Sequence, residues 1–157
     1  MDQSTADGQP VKQFISFRIE NFLFGMDIRQ VREINQLLDI TPVQQAPDYI
    51  LGLVNLRGQI VTIFDIAVKL GLPGRTIGPD THNIVFKNEN AGFLADGIGD
   101  VMDIEHAAIE VPPVNMSGEM RRYVEGVVRL SSEHFLILSP GKILEKPGEK
   151  AASGEVV

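Results

Sequence analysis

Three histidines, His82, His106 and His134, are the first residues to examine, because a neutral imidazole can bind a metal or move a proton. They are widely separated, none has a second histidine at ligand spacing, and the chain has no cysteine. A zinc site needs such pairing, so each is read as a surface or partly buried imidazole. Four acids follow one strand-like stretch, Asp96, Asp100, Asp103 and Glu105, and could suggest calcium. They lack the alternating carboxylates and closing glutamate of a calcium loop. Acids at turns and strand ends are what a chain of net charge −7 carries anyway.

Other catalytic patterns fail on the same kind of inspection. "LADGIGD" (94–100) has Gly97 where an aspartic protease carries its hydroxyl residue, and no second copy supplies the paired carboxylate. The glycines at 97 and 99 make no GxGxxG, and no GxxxxGK[ST] exists in the chain. No serine stands in a GxSxG elbow. "NMS" at 115–117 fits a glycosylation sequon, but no signal sequence accompanies it. No set of residues pairs a nucleophile with a base or assembles ligands. The chain is read as a non-enzyme without cofactor or metal.

What remains is a recognition problem in "LGLVNLRGQIVTIFDI" (51–66). Two apolar runs flank Asn55-Leu56-Arg57-Gly58, which predicts a β-hairpin. A tight hairpin turn needs only Asn-Gly or Asp-Gly. Here the tip carries a leucine facing water and a forked arginine with no obvious local partner. Either the tip folds back onto its own domain, or it is offered to something else.

The elements that hold this hairpin are short. The 157 residues fit one domain, and 43% apolar with 22% charged residues is a globular composition. The acidic balance argues against nucleic-acid binding. No apolar run approaches the ~20 residues of a membrane span, so a cytoplasmic chain without membrane insertion is expected. Strands are predicted at 14–19 and 22–28, joined by a turn at Glu20-Asn21. Ile28, Val31, Ile34 and Leu38 lie near a 3.6-residue period, which predicts a helix over 27–38. "LDITPV" (38–43) reads as a brief strand, and "DIAVKLGLP" as a short helix closed by Gly71 and Pro73. The second half continues with strands at 83–87, 91–104 and 108–114, a hairpin of 124–130 with 134–139, and a last helical turn in "GKILE". Short strands broken by Gly and Pro indicate a mainly β chain of two small barrels. The first is expected over 13–73 and the second over 83–146, with a linker at 74–82. Flexible tails are expected at 1–12 and 147–157, which are too polar to offset their ordering entropy.

"VREI" (31–34), "LGLVNLRGQIVTIFDI" (51–66), "LADGIGDVMDI" (94–104) and "YVEGVVRL…HFLIL" (123–138) together resemble the CheW family, the coupling proteins of bacterial chemotaxis-type signalling. The resemblance covers roughly residues 13 to 146. Its most specific motif is G-x-x-N-L-R-G followed by Asp65. The chain departs in having Thr62 where many members carry proline, and in a short linker at 72–81.

The resemblance implies two five-stranded SH3-like barrels with a few short helices, in an adaptor without catalysis. It implies two partners, the regulatory domain of a CheA-type histidine kinase and the cytoplasmic tip of a chemoreceptor, which would bring the chain to membrane receptor arrays. The residues it assigns to partner contact are Val31, Glu33, Gly52, Asn55, Leu56, Arg57 and Gly58. On the expected helix, Val31 and Glu33 point to different faces. Arg57 is open to two readings, a direct partner contact or an internal pair with Glu33. Both hold if the pair shapes the docking surface. Two other functions stay open: an isolated regulatory module of a kinase, against which the start methionine and C-terminal tail count, and a small enzyme using Asp96 and Asp100. Flagellar, twitching and other receptor-driven pathways use similar adaptors, so the pathway stays open too.

Overall fold

A computed structural model describes residues 10–36, 39–74 and 76–145. The expected C-terminal tail lies outside these residues, as do positions 1–9 of the N-terminal one. Val11 and Lys12, assigned to that tail, instead open the first strand.

That strand, β1 (Val11–Ile19), turns at Glu20-Asn21 into β2 (Phe22–Asp27). A 3₁₀ turn over Ile28–Gln30 leads to β3 (Val31–Asn35). The hairpin β4 (Ile50–Leu56) and β5 (Gln59–Phe64) is followed by α1 (Ile66–Lys69). Then come β6 (His82–Phe86), β7 (Ala91–Ala95) and β8 (Gly97–Glu105), and a second 3₁₀ turn over His106–Ala108. The chain closes with α2 (Gly118–Tyr123), the hairpin of β9 (Val124–Arg129) and β10 (His134–Leu138), and α3 (Pro140–Leu144).

Three expectations are corrected here. The helix over 27–38 is a single capped turn followed by a strand. The Asp27 carboxylate accepts the Arg29 N–H at 2.9 Å, and Val31 then enters the ladder of β6. A bulge at Arg32 shifts the register, so Val31 opposes Phe86 while Glu33 opposes Val85. Val31 and Ile34 therefore both face the core, with a spacing that imitates a helix. "LDITPV" contributes one bridge, Thr41 to Leu53, and "AIEVPPV" contributes one, Glu110 to Val127. Prolines in both stretches cannot donate to a ladder.

The strands form two five-stranded sheets, ordered β8-β1-β2-β10-β9 and β3-β6-β7-β5-β4. Neither sheet is a half of the sequence. Each takes two strands from one half and three from the other, and both are built alike. An antiparallel hairpin (β1-β2 or β6-β7) joins a second hairpin (β10-β9 or β5-β4) through one parallel pair, and an edge strand (β8 or β3) lies on the other side. The expected linker is thus no boundary. The strands on its two sides, β5 and β6, share a sheet, and His82 already belongs to β6. The chain crosses between sheets at Ile28–Gln30 and again at Asp96.

The likeness extends to single bonds. Asp65 donates its N–H to the Tyr49 carbonyl at 2.8 Å, and Ser139 does the same to Tyr123 at 2.9 Å. In each sheet a residue beyond one edge strand bridges the other edge strand, Thr41 to Leu53 or Glu110 to Val127, with bonds of 2.8–2.9 Å. The crossing segment leaves no room for a side chain at the strand beneath it. A Cβ on Gly52 would sit 2.3 Å from the Thr41 carbonyl oxygen, and one on Gly126 2.6 Å from Ile109.

Apolar residues fill three cores. Phe14, Ile104, Val128, Phe135 and Ile137 fill the first barrel, and Val54, Val61, Ile63 and Leu94 the second. The largest core lies between the sheets, where Phe17 of β1 meets Phe93 of β7 with ring centroids 5.3 Å apart. At one end of this junction Lys69 lies over the Tyr49 ring at 4.3 Å and near Tyr123 at 5.5 Å, and donates to the Ile143 carbonyl at 2.8 Å. Burial holds its ammonium below the usual lysine range.

Candidate partner-docking site

The β4–β5 hairpin turns on Arg57 and Gly58, with φ of +52° and +85°. Two positive φ values are the signature of a type I′ turn, whose twist matches the flanking strands. Gly58 has open space around it, so backbone conformation alone accounts for the glycine. The Asn55 side chain accepts the Gly58 N–H at 2.9 Å and fixes the tip.

The turn separates its two conspicuous residues. Leu56 folds back, half-buried, against the core of the second barrel, with Ile40 and Leu51. Arg57 stays 78% exposed, and its Nη1 meets Glu33 Oε1 in an ion pair. The other Glu33 oxygen accepts from Asn35 Nδ2 at 3.2 Å. Glu33, only 19% exposed, is thus held from its own strand and from the hairpin. Since β3 and β4 are the two edges of one sheet, this pair spans the barrel's open seam.

A cleft of about 470 Å³ lies along that seam, and Glu33, Asn55, Leu56 and Arg57 line it together. Of the other expected residues, Gly52 is buried under Thr41, Gly58 stands outside the cleft, and Val31 is half-buried in the inter-sheet core. Val31 and Glu33 do face different ways, through the Arg32 bulge rather than a helix. Asn35, Gln36, Asp39, Thr41, Leu53 and Val54 complete the lining. The sequence reading missed Asn35 and Gln36 because it continued a helix through 38.

Two of the acids weighed for catalysis, Asp96 and Asp103, hold structural partners with their side chains, Asp103 Oδ1 accepting from Gln13 Nε2 at 3.1 Å. Asp96 accepts the Glu20 N–H at 2.8 Å and holds the β1–β2 turn at the second crossing. At Asp100 it is the main-chain carbonyl, not the carboxylate, that accepts the Ser16 hydroxyl at 2.7 Å. His82 donates from Nδ1 to the Asp80 carbonyl at 2.9 Å. Among the described residues no three His, Asp or Glu side chains converge as metal ligands, and no helix is long and apolar enough to cross a membrane.

A second surface lies on the other sheet. Val111 and Val114 are 83% and 92% exposed, on the segment between β8 and α2. Glu110 pairs with Arg129 at 3.0 Å, and Arg121 donates to the Pro113 carbonyl at 2.6 Å.

Comparison with known proteins agrees with this architecture. The family model described as a CheW-like domain matches residues 13–148. A chemotaxis protein CheW of Klebsiella aerogenes is 30% identical over 135 residues, covering 85% of this chain and 81% of the relative. One of Rhizobium meliloti is 26% identical, covering 90% and 92%. The crystal structure of the scaffolding protein TtCheW from Thermoanaerobacter tengcongensis superposes with a TM-score of 0.79 at 27% identity, over 87% of this chain and 94% of that one. With ten strands in two matching sheets and the seam motif at the edges of the second, the chain belongs to the CheW family.

Proposed function

We propose that this coupling adaptor joins the regulatory domain of a CheA-type histidine kinase to the cytoplasmic tip of a chemoreceptor, with the β3–β4 seam as one docking face. The observation that carries this reading is Arg57. Its guanidinium has five donors, and among the described residues only Nη1 meets an acceptor, Glu33. The ion pair aims the side chain from an exposed tip, and the remaining donors face outward. An internal pair and a partner contact are therefore compatible. A forked arginine suits a carboxylate or the carbonyls at a helix end.

An adaptor also needs a second surface. Val111 and Val114 provide apolar groups on the opposite sheet, where burial by a partner removes them from water. Two contact faces on two sheets let one partner dock without displacing the other. Through such partners the chain would reside at receptor arrays without entering the bilayer.

The test is co-purification with the kinase's regulatory domain and the receptor tip, added separately and then together. Arg57→Ala is expected to weaken capture of at least one partner while Val114→Glu weakens the other. Binding of both partners unchanged in both variants would overturn the assignment of these faces. Failure of the unaltered chain to capture either partner would overturn the coupling role itself.

A further inference from the structure

The two barrels match strand for strand, so one can be read against the other. Ser16 opposes Gly25 in the first barrel as Val85 opposes Gly92 in the second. Counting back along each strand, Phe14 and Asn83 take the same place. Phe14 opposes Met102 on the edge strand, and both belong to an apolar core. Asn83 opposes Asn35. One barrel thus holds an amide pair where the other holds phenylalanine and methionine.

The amides are not satisfied. Asn83 is fully buried, and among the described residues neither Nδ2 nor Oδ1 has a hydrogen-bond partner. Asn35 Oδ1 is buried and likewise without a partner among the described residues, while its Nδ2 is given to Glu33. The Asn83 amide lies so close to β7 that a Cβ on Gly92 would stand 2.4 Å from Oδ1. Directly opposed residues of an antiparallel pair have Cβ atoms about 4.5–5.5 Å apart. A side-chain rotation of Asn35 therefore brings the two amides into bonding range.

We infer that Asn83 is a positioning residue for the docking face: it competes with Glu33 for the Asn35 amide. In the arrangement seen, Asn35 shares the Glu33 carboxylate with Arg57, and Asn83 stays unpaired. In the other, the two asparagines bond to each other, and Glu33 turns to Arg57 alone and holds it more firmly. The first leaves the guanidinium free to engage a partner, and the second withdraws it. A buried amide that weakens one arrangement and completes the other sets the balance between them. The inference rests on the docking role of Arg57 for its functional consequence, but the amide competition is a property of the free chain.

The experiment compares the unaltered chain with Asn83→Leu, an isosteric change, and Asn83→Val should the leucine not be accommodated. In the free chain, side-chain amide relaxation should show Asn35 exchanging between two arrangements, and the substitution should remove that exchange. A single Asn35 signal without exchange, the same in both proteins, overturns the inference. In binding, removing the competitor should raise Tm and tighten docking about two-fold or more, since the competent arrangement no longer shares its population. Asn35→Ala should weaken docking, and in an Arg57→Ala background Asn83→Leu should change docking no further. A raised Tm with unchanged affinity marks a structural role and overturns the positioning one. If the unaltered chain binds neither partner, the coupling role fails, and the relaxation result alone decides the amide competition.

Discussion

Arg57 stands in a left-handed conformation that costs a non-glycine residue about 1–2 kcal/mol, and its one hydrogen-bonded contact among the described residues is an exposed ion pair. Exposed pairs are worth about 0–1 kcal/mol, so Arg57→Ala should move stability by less than about 1 kcal/mol. An interfacial charged hydrogen bond is worth about 1.5–3 kcal/mol. Its loss should appear as an affinity drop of ten-fold or more by titration calorimetry, with Arg57→Lys restoring charge but not the planar fork. Equal losses of melting temperature in Arg57→Ala and Glu33→Ala, with binding intact, would reduce the pair to an internal brace. Gly52 behaves differently because its neighbour is backbone. Gly52→Val should lower stability by about 1–3 kcal/mol, visible as a large fall in thermal midpoint. The sequence marked both residues but treated the hairpin tip as one unit. Nothing local told Leu56, which finds the barrel core, from Arg57, which does not.

Legibility was uneven among the elements. The β1–β2, β4–β5 and β9–β10 hairpins could be read because apolar runs bounded by short polar turns have few other readings. The stretch from 27 to 35 misled because a bulge at Arg32 places Val31 and Ile34 on one face, which is also what a helix would do. The Asp27 side chain does cap a helical start, but of a single turn. Asp27 feels two opposing influences: burial pushes its carboxyl up, and the Arg29 side chain and N–H pull it down more strongly, so the net shift is downward. A lowered folded value means stability present above the unfolded value near 3.9 and lost as pH falls through the folded one. Asp27→Ala should cost about 1 kcal/mol near neutral pH and flatten the acid limb of the stability curve, measured by urea titration between pH 2 and 6. An acid limb of unchanged steepness would remove Asp27 from that role.

At the scale of the molecule, the sequence showed two strand-rich parts and a Gly/Pro break, and the natural inference was a barrel on each side. Strand exchange defeats that inference, because parallel pairs such as β5–β7 leave no local trace. The correspondence of "ILGLVNL" (50–56) with "VEGVVRL" (124–130) was present in the sequence but too short to stand out without the structure. Each half now supplies strands that the other requires. Separate fragments covering 10–74 and 76–145 should each lack native circular dichroism, and mixing them should restore it. Independent folding of either fragment would contradict the shared core around Phe17 and Phe93.

The ring of side chains about Lys69 has an optical consequence. The chain has no tryptophan and two tyrosines, Tyr49 and Tyr123. Both lie against that one ammonium, each just ahead of the corresponding strand of its own sheet. Tyrosine emission from this protein therefore originates at the contact between its two interlocked parts. A fluorescence trace would report the parting of the sheets while remaining blind to loosening inside either barrel. A calorimetric transition that precedes the emission change would be a barrel opening before its neighbour lets go.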